Sequence, residues 1–376
     1  MTVGIAIIGS GIFVREEHLP AVQATPSLAL KALFSRSLES AQALATDLPG
    51  VDLYSEDAGG GKALSDLLAR PDIRGVIIAL PIPAQPAYIK AALATGKHVL
   101  SEKPIAPDMA SARALLEWYE RSGAVDPKAV SWGVAENFRF MSPIQHAVAQ
   151  VATLGRVLNF SAKIQLLMAD GSKYQQTSWR KTPSFQGGFL LDGGVHFVAA
   201  TRLLLASASP PTHPTTLAAF TSQLQPHLPP VDTLDAIVRL SSGAAGHVSV
   251  SFGTTHPFAI EWRVSCERGS VAVGRGALIG APEGGGRGHS VVVTRTGAAA
   301  KDRGVEEERV EFAEAARGGT GVPQEVGVWA EALVRGGGVG ELDARQSPRE
   351  ALRDLEILEA MLKSGENGGT PVNLTE

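Results

Sequence analysis

The feature that most limits the folds open to this chain is a strand-length apolar segment that stops at a glycine turn. Residues Val3–Ile8 are almost all apolar, and Gly9-Ser10-Gly11 follows them. Apolar positions then recur at helical spacing from Ile12 to Val22, with Pro20 as an interruption. A strand that is apolar at every position is buried on both faces, as the central strands of parallel sheets are. The segment therefore predicts a strand, a tight turn and a helix.

This succession is typical of the opening of a dinucleotide-binding fold. In such folds, small residues allow backbone amides to approach a pyrophosphate at the start of the helix. Val14 replaces the third glycine of the G-x-G-x-x-G pattern, which predicts a looser approach of the helix to the strand. The predicted pyrophosphate contacts are Gly9, Ser10, Gly11, Ile12 and Phe13.

Three more apolar segments, Leu28–Phe34, Ile73–Leu80 and Lys97–Leu100, predict strands that alternate with helical patterns. Such alternation predicts a parallel sheet with right-handed crossovers. Ligands of these sheets lie beyond the carboxyl ends of the strands. We therefore expect Leu80 and Pro81 close to the nicotinamide half of a cofactor. Lys103, which follows the last of these strands, becomes a candidate for chemistry, with a solvated loop lysine as the alternative.

The end of the second predicted strand indicates which dinucleotide is preferred. An Asp or Glu at this place would hold two ribose hydroxyls and favour NAD. Ser35 and Arg36 stand there instead. A guanidinium offers planar, charge-assisted donors to phosphate oxygens and so suits the 2'-phosphate of NADP(H). We expect NADP(H) to be preferred, with NAD(H) as the alternative and a simple strand-capping role for Arg36 as the other interpretation.

The pattern changes in the second half of the chain to strands in succession. Successive strands joined by short turns are typical of an antiparallel sheet. The glycine-rich link Gly280–Gly288 is expected to be a mobile surface loop, and the segments Val322–Val334 and Pro348–Leu362 are expected to be closing helices. The predicted strands are 217–224, 234–240, 246–252, 259–266, 270–273, 289–296 and 305–312.

Asp192 and His196 lie four residues apart in a predicted helix, Phe189–Leu205. This spacing places both side chains on one face, one turn from each other. A histidine on an apolar helix is usually a satisfied core residue, but an aspartate one turn away favours proton transfer. A metal site with these two ligands is the other hypothesis, and the sequence offers no third ligand at a suitable spacing, so no metal is predicted.

Composition limits the remaining classes. A chain of 376 residues predicts two domains, and 44% hydrophobic with 19% charged residues is typical of a soluble globular protein. A net charge of -4 gives no footprint for nucleic acid or for an anionic membrane. The single cysteine, Cys266, excludes an intramolecular disulfide and a cysteine-rich zinc site. We expect a cytoplasmic protein with neither a signal peptide nor a transmembrane helix, and a peroxisomal or nuclear location is the alternative.

Taken together, the motifs resemble those of the glucose-fructose oxidoreductase, inositol dehydrogenase and MocA (Gfo/Idh/MocA) family. They are spread over nearly the whole chain in the order that the family shows. The motifs are Gly9 and Gly11, Gly96-Lys97-His98-Val99, Glu102-Lys103-Pro104, Asn137 with Arg139, Trp179-Arg180, Asp192-Gly193-Gly194-Val195-His196, and Pro371-Val372-Asn373-Leu374.

The resemblance implies an α/β protein with a Rossmann dinucleotide-binding domain, 1–136, and a second domain, 137–376. The second domain would be α+β, with a large open, mainly antiparallel sheet that binds substrate and builds a homodimer or higher oligomer. The resemblance also implies roles for further residues. Glu102, Lys103, Asn137 and Arg139 would contact the cofactor. Separately, the stretch 174–188 is rich in polar and aromatic residues and is typical of a loop that lines a polar pocket. Its Trp179 and Arg180 are therefore candidate contacts to a small-molecule substrate, and for Arg180 a surface salt bridge is the alternative.

The hypothesis is an NADP-preferring oxidoreductase that acts on a sugar, polyol or related alcohol or carbonyl compound. Lys103 aligns with the active-site lysine of the family and would stabilise an alkoxide. His196 would be the general acid or base, oriented by Asp192. Leu80-Pro81-Ile82 where the family often has Thr-Pro-Asn, and Ala200 where an acid is common, leave the substrate open. The alternatives are a catalytically silent NADP-binding regulator and an NAD-assisted glycosidase on the same fold.

Overall fold

A computed structural model of the chain describes residues 2–278, 286–296, 305–313 and 319–375, so most of the predicted glycine-rich loop lies outside the described residues. The elements up to residue 135 are β1 Val3–Ile8, α1 Leu19–Gln23, β2 Leu28–Ser35, α2 Leu38–Leu44, β3 Asp52–Ser55, α3 Leu64–Leu68, β4 Gly75–Ile78, α4 Gln85–Ala94, β5 His98–Glu102, α5 Met109–Arg121 and β6 Trp132–Ala135. Those that follow are α6 Ser142–Val151, β7 Val157–Gln165, α7 Ser178–Lys181, α8 Gly188–Ala206, β8 Pro214–Ser222, β9 Thr233–Leu240, β10 Ala245–Ser251, β11 Ala259–Cys266, β12 Gly269–Ala277, β13 Arg287–Thr296 and β14 Val305–Ala313. The last are α9 Val322–Arg335, α10 Pro348–Glu366 and β15 Val372–Asn373.

The first six strands form one parallel sheet in the order β3-β2-β1-β4-β5-β6. β1 and β4 are buried at every residue, as their unbroken apolar sequences predict. Because all six strands run in the same direction, their carboxyl ends meet at one edge. The loops that carry Gly9, Arg36, Pro81 and Lys103 all leave the sheet at this edge.

The remaining nine strands form a mainly antiparallel sheet in the order β14-β13-β12-β11-β7-β10-β9-β8-β15. β7 lies between β11 and β10 and is parallel to β10, the one parallel pairing among the described strands of this sheet. Helices α6 and α8 pack against β7 and β10–β14, and burial alternates strictly along most of β9. The two sheets confirm the predicted fold class.

Contacts divide the chain into two units. The first comprises Met1–Glu136 and Val322–Leu352, and the second comprises Asn137–Gly321 and Arg353–Glu376. The prediction assigned all of 137–376 to the second domain, so the structure differs from it over 322–352. The reason is the apolar face of α9, whose Trp329 is fully buried in the core built around β1 and packs within 3.0 Å of where a Cβ on Gly75 would lie.

In the second unit, helix α8 packs against α6 and against strands β7, β10 and β11. Among the described residues it is the one helix long and apolar enough to span a membrane, and 72% of its apolar window is buried, as in the core helix of a globular domain. Gly193 permits its close approach to the sheet, since a Cβ there would lie 2.5 Å from the ring of Phe252. The helix therefore holds Asp192 and His196 on a rigid element.

Candidate active site

The glycine turn after β1 has no room for a side chain at Gly9 and is open at Gly11. Gly9 has a φ of +126°, and a Cβ there would lie 2.3 Å from the carbonyl oxygen of Ala79, so only glycine fits without strain. A Cβ on Gly11 would meet no atom within 4 Å. Ile12 and Phe13, both half-buried, begin the helix that follows. This geometry fits the pyrophosphate of a dinucleotide, which needs close access to backbone amides.

A hydrogen bond between two serine hydroxyls connects the end of β2 to the glycine turn after β1. The Oγ atoms of Ser10 and Ser35 lie 2.7 Å apart, and Ser35 is buried. The next residue, Arg36, is exposed. The Ser35 hydroxyl thus fixes the edge of the site, and Arg36 places a positive charge beside it where an adenosine 2'-phosphate would be expected.

Glu56, just after β3, is an acidic neighbour that the sequence analysis missed. Its backbone N–H donates to the carbonyl oxygen of Ser35 at 3.3 Å, and its Oε1 accepts a hydrogen bond from the Tyr88 hydroxyl at 2.6 Å. Burial, followed by this bond to Glu56, raises the pKa of Tyr88 to about 12, so the phenol stays protonated and remains the donor. Glu56 follows a strand of the parallel sheet directly, and such positions are typical of ligand contacts. The sequence did not predict β3, so this position was not recognised.

The loops after β4 and β5 carry the other predicted residues of the first unit. Leu80 and Pro81 are half-buried, and the Pro81 carbonyl accepts a hydrogen bond from the Ala84 N–H at 2.9 Å to close a turn before α4. Glu102 is the last residue of β5, and Lys103 follows it, half-buried, with a cis peptide to Pro104. The contacts of these residues with a cofactor stay a prediction.

His18 is a second residue of the first unit that the sequence analysis missed. Its Nε2 lies 2.6 Å from Oε1 of Glu102, and its side chain has no exposed surface. The sequence did offer one signal, since His18 lies four residues after Val14 in the predicted helix and so shares a face with it. In the structure both residues are buried. The sequence could not show that the partner would come from a strand 84 residues away.

In the second unit, Asp192 accepts a hydrogen bond from Arg180. The Arg180 Nε lies 2.7 Å from Oδ2 of Asp192, with side-chain exposures of 16% and 6%. The guanidinium also lies 4.0 Å from the centre of the Trp179 ring and 5.5 Å from that of Tyr174. Arg180 is therefore not a surface salt bridge, because its pair with Asp192 is sheltered from water. Its contact with substrate stays a prediction.

His196 is half-buried and stacks on the ring of Phe138, with ring centres 4.6 Å apart and an angle of 17° between the planes. Phe138 belongs to a short helical turn, Asn137–Phe140. The stack holds the imidazole plane in one orientation. Phe138 lies between Asn137 and Arg139, which are both predicted site residues, but it was not itself predicted. Orientation of His196 by Asp192 stays a prediction.

Asn137 and Arg139 have partners within the second unit. The Asn137 side-chain amide donates to the carbonyl oxygen of Thr320 at 2.6 Å. The Arg139 guanidinium is buried and paired with Asp354, which also binds Arg202. These contacts give both residues a structural role, and their predicted contacts with a cofactor stay a prediction.

The structure thus brings together some of the predicted residues within each unit. Lys103 belongs to the first unit, and Asp192 and His196 belong to the second. Among the described residues, no three His, Cys, Asp or Glu side chains are grouped as a metal site would require. The pairs formed are Ser10 with Ser35, Glu102 with His18, Arg180 with Asp192 and Trp179, and His196 with Phe138.

Comparison with known proteins gives matches over both units. Residues 3–126 match the model of an oxidoreductase family with an NAD-binding Rossmann fold, and residues 145–272 match that of the GFO/IDH/MocA C-terminal domain. The chain is 40% identical to Dehydrogenase FPY6 of Fusarium mangiferae, over 98% of each chain. It is 28% identical to a D-xylose 1-dehydrogenase (NADP(+)) of Haloferax volcanii, over 66% of this chain and 69% of that protein.

A solved structure gives a similar fold. The crystal structure of an oxidoreductase from Thermotoga maritima superposes with a TM-score of 0.78. The superposition covers 99% of this chain and 98% of the other, at 24% sequence identity. At this identity the likeness bears on the fold alone.

Proposed function

Because this chain belongs to the GFO/IDH/MocA family and is an NAD(P)-dependent dehydrogenase or reductase, we propose that it transfers a hydride between NADP(H) and a sugar, polyol or related alcohol or carbonyl compound. The observation that carries the cofactor preference is the exposed Arg36 beside the buried Ser35 at the carboxyl edge of the parallel sheet. The similarity to a D-xylose dehydrogenase that uses NADP(+) supports both the cofactor and the substrate class.

The residues that would hold the cofactor follow from the geometry of the first unit. The glycine turn admits the pyrophosphate, and Arg36 binds the 2'-phosphate through charge-assisted hydrogen bonds. Leu80, Pro81 and Glu102 lie at the ends of the strands expected on the nicotinamide side. When bound, the cofactor supplies or accepts the hydride.

The side chains manage the proton and the charge on oxygen. During oxidation, His196 accepts the hydroxyl proton as the C–O bond becomes C=O, and during reduction it returns that proton. The ammonium of Lys103 stabilises negative charge that develops on a substrate oxygen. Asp192 is held by Arg180 through Oδ2 and so presents a fixed carboxylate on α8, one turn from His196. The stack on Phe138 fixes the plane in which the imidazole works.

Cofactor preference is tested by titration with NADPH and NADH, followed by nucleotide fluorescence. We expect tighter binding of NADPH, and we expect Arg36→Ala to weaken NADPH binding by about 10-fold to 100-fold, since a hydrogen bond to a charged group contributes about 1.5–3 kcal/mol. NADH binding should change little. Arg121→Ala, at an exposed arginine of the same unit, is the matched control. Tighter binding of NADH by the wild type would contradict the preference.

Turnover is tested with sugars, polyols and small aldehydes and both nucleotides. We expect Lys103→Met to abolish turnover while NADPH binding stays nearly intact, whereas Lys128→Met at an exposed lysine should retain activity. Full activity of Lys103→Met would reject the assignment. NADPH binding without turnover of any substrate would favour a regulator, and tightly held NAD that copurifies would favour a glycosidase.

We also propose a cytoplasmic location. The single cysteine, Cys266, is buried in β11, and burial raises the pKa of its thiol to about 11. A lone, unreactive thiol suits a reducing compartment. Fractionation of cells with antibody detection would test the location, and recovery in a membrane or secreted fraction would contradict it.

A further inference from the structure

A buried histidine–glutamate pair joins the helix after the glycine turn to the strand that ends before Lys103. His18 Nε2 and Glu102 Oε1 are 2.6 Å apart, with side-chain exposures of 0% and 12%. Glu102 is the last residue of β5, so its backbone continues directly into Lys103. The pair therefore connects the element that would receive the cofactor pyrophosphate with the segment that carries the proposed catalytic lysine.

The direction of this hydrogen bond follows from the chemistry of the two groups. An ionised carboxylate only accepts hydrogen bonds, so Nε2 of His18 carries the proton and donates. The other ring nitrogen, Nδ1, is buried and has no hydrogen-bond partner among the described residues. The rings of Phe13 and His18 pack edge to face, with ring centres 5.3 Å apart. One hydrogen bond and this packing therefore hold the imidazole, and the bond points at Glu102.

The helix is built irregularly at this point. Residues Val14–His18 form a π-helical turn, in which the Leu19 N–H bonds to the carbonyl oxygen of Val14. Pro20, two residues after His18, has no N–H to continue a regular ladder. Such turns are costly in regular structure and are frequent at functional sites. This local geometry presents His18 to the interior, where Glu102 lies.

We propose that His18 is a positioning residue for the reaction: it holds the Glu102 carboxylate and, through the continuous backbone, sets the direction of Lys103. This inference rests on the proposed role of Lys103. The hydrogen bond links the segment of Lys103 to the helix that borders the pyrophosphate site. The position of that helix and the direction of the Lys103 side chain therefore depend on the same contact. His18 itself touches neither substrate nor cofactor in this assignment.

The test compares two amides at position 18. The side-chain nitrogen of His18→Gln reaches the place of Nε2 and can donate to Glu102, whereas the shorter His18→Asn matches Nδ1 and does not reach. Both variants bury a neutral amide and differ by the one methylene that brings the amide within reach of Glu102. We expect His18→Asn to lower kcat by about 10-fold to 100-fold with KM within about threefold, the loss of one hydrogen bond to a charged group. His18→Gln should retain kcat within about threefold.

A second measurement needs no substrate. Lys103 is labelled with acetic anhydride as a function of pH and quantified by peptide mass spectrometry, with the exposed Lys128 as internal reference. We expect the pH profile of Lys103 labelling to move in His18→Asn and to stay at the wild-type position in His18→Gln. If His18→Asn does not fold, Glu102→Asp serves instead, because its carboxylate is one methylene too short to meet His18.

The two measurements separate the possible failures. A displaced labelling profile without turnover of any substrate by the wild type would keep the positioning role and reject the proposed function. Unchanged labelling and unchanged kcat in His18→Asn, with only a lower melting temperature, would overturn the inference, because the pair would then be a structural brace. Equal losses in His18→Gln and His18→Asn would also overturn it, since the hydrogen bond would not be the cause.

Discussion

At the scale of single residues, His98 shows how burial selects a protonation state. Its side chain is buried at the start of β5, and its Nδ1 accepts a hydrogen bond from the backbone N–H of Ser131 at 3.1 Å. Burial is the main cause that lowers the pKa of His98 from 6.5 to about 4. The neutral imidazole is therefore the form that fits the folded chain, and this motif residue has a structural role.

The sign of the resulting pH dependence follows from linkage. Because the pKa is lower in the folded state, the unfolded chain binds the extra proton, so the contribution is complete above pH 6.5 and is lost as the pH falls towards 4. The shift corresponds to about 3 kcal/mol of unfolding free energy. We expect His98→Asn, whose amide oxygen can accept from Ser131, to lose less stability over this range in urea unfolding at several pH values.

The exposed His256 supplies the matched control for this measurement. His256→Asn should follow the pH dependence of the wild type, because the replaced side chain is not buried in the folded chain. If the free energy of unfolding changes with pH identically in His98→Asn and the wild type, then His98 is not the group responsible for the change. The comparison also removes the contribution of the carboxylates that titrate in the same range.

Single residues also show how far the sequence could predict the site. Ser35 and Arg36 could be placed at the edge of the sheet because strand ends are marked by local patterns, and the structure puts them there. His18 could not be paired with Glu102, and Arg180 could not be paired with Asp192, because these contacts depend on how separate elements pack. Local patterns give the position of a residue along its element, whereas its partner depends on the whole fold.

At the scale of elements, α9 also shows that local sequence patterns do not identify packing partners. The sequence predicted a helix at Val322–Val334, and the structure has one at Val322–Arg335. The apolar face of a helix shows that it must be buried, but it does not name the surface that buries it. Position in the chain suggested the second domain. The structure instead packs Val326, Trp329 and Leu333 into the core of the first unit.

This packing predicts a large effect of Trp329 on the stability of the first unit. Trp329 is fully buried, so Trp329→Ala should lower the free energy of unfolding by about 3–5 kcal/mol through lost burial and a cavity. Trp118→Ala, at a half-buried tryptophan of α5, should cost clearly less. Urea unfolding followed by circular dichroism measures both. Equal costs would mean that α9 does not complete the core around β1.

At the scale of the whole molecule, the sequence predicted two sheets and their dominant strand directions, but not the strand order of the second. Successive β-strands gave the antiparallel pairs, such as β8 with β9 and β11 with β12. Strand β7 lies at the centre of the second sheet and pairs in parallel with β10. Along the chain these two strands are separated by α7, α8, β8 and β9. Pairing over such distances is decided by burial of the whole sheet and leaves no local signal.

The second sheet also predicts self-association, since one face is packed against helices and the opposite face carries two strongly exposed apolar side chains. On that face, Ile237 of β9 is 62% exposed and Phe220 of β8 is 67% exposed. These two strands are direct neighbours, with Ala218 paired to Ile237. On the same face Ile237 is flanked along β9 by the exposed Asp235 and Arg239. Two copies related by a twofold axis could therefore pair apolar side chains and opposite charges, which favours a symmetric dimer.

We therefore expect the wild type to be a dimer at micromolar concentration in light scattering, and Ile237→Glu to shift it to the monomer, because each copy would place a charge in the interface. Val334→Glu, at an exposed valine of α9 in the other unit, should remain a dimer. A monomeric wild type would reject the interface. A dimer that persists in Ile237→Glu would move the interface away from β8 and β9, because two glutamates buried between the copies would not be tolerated.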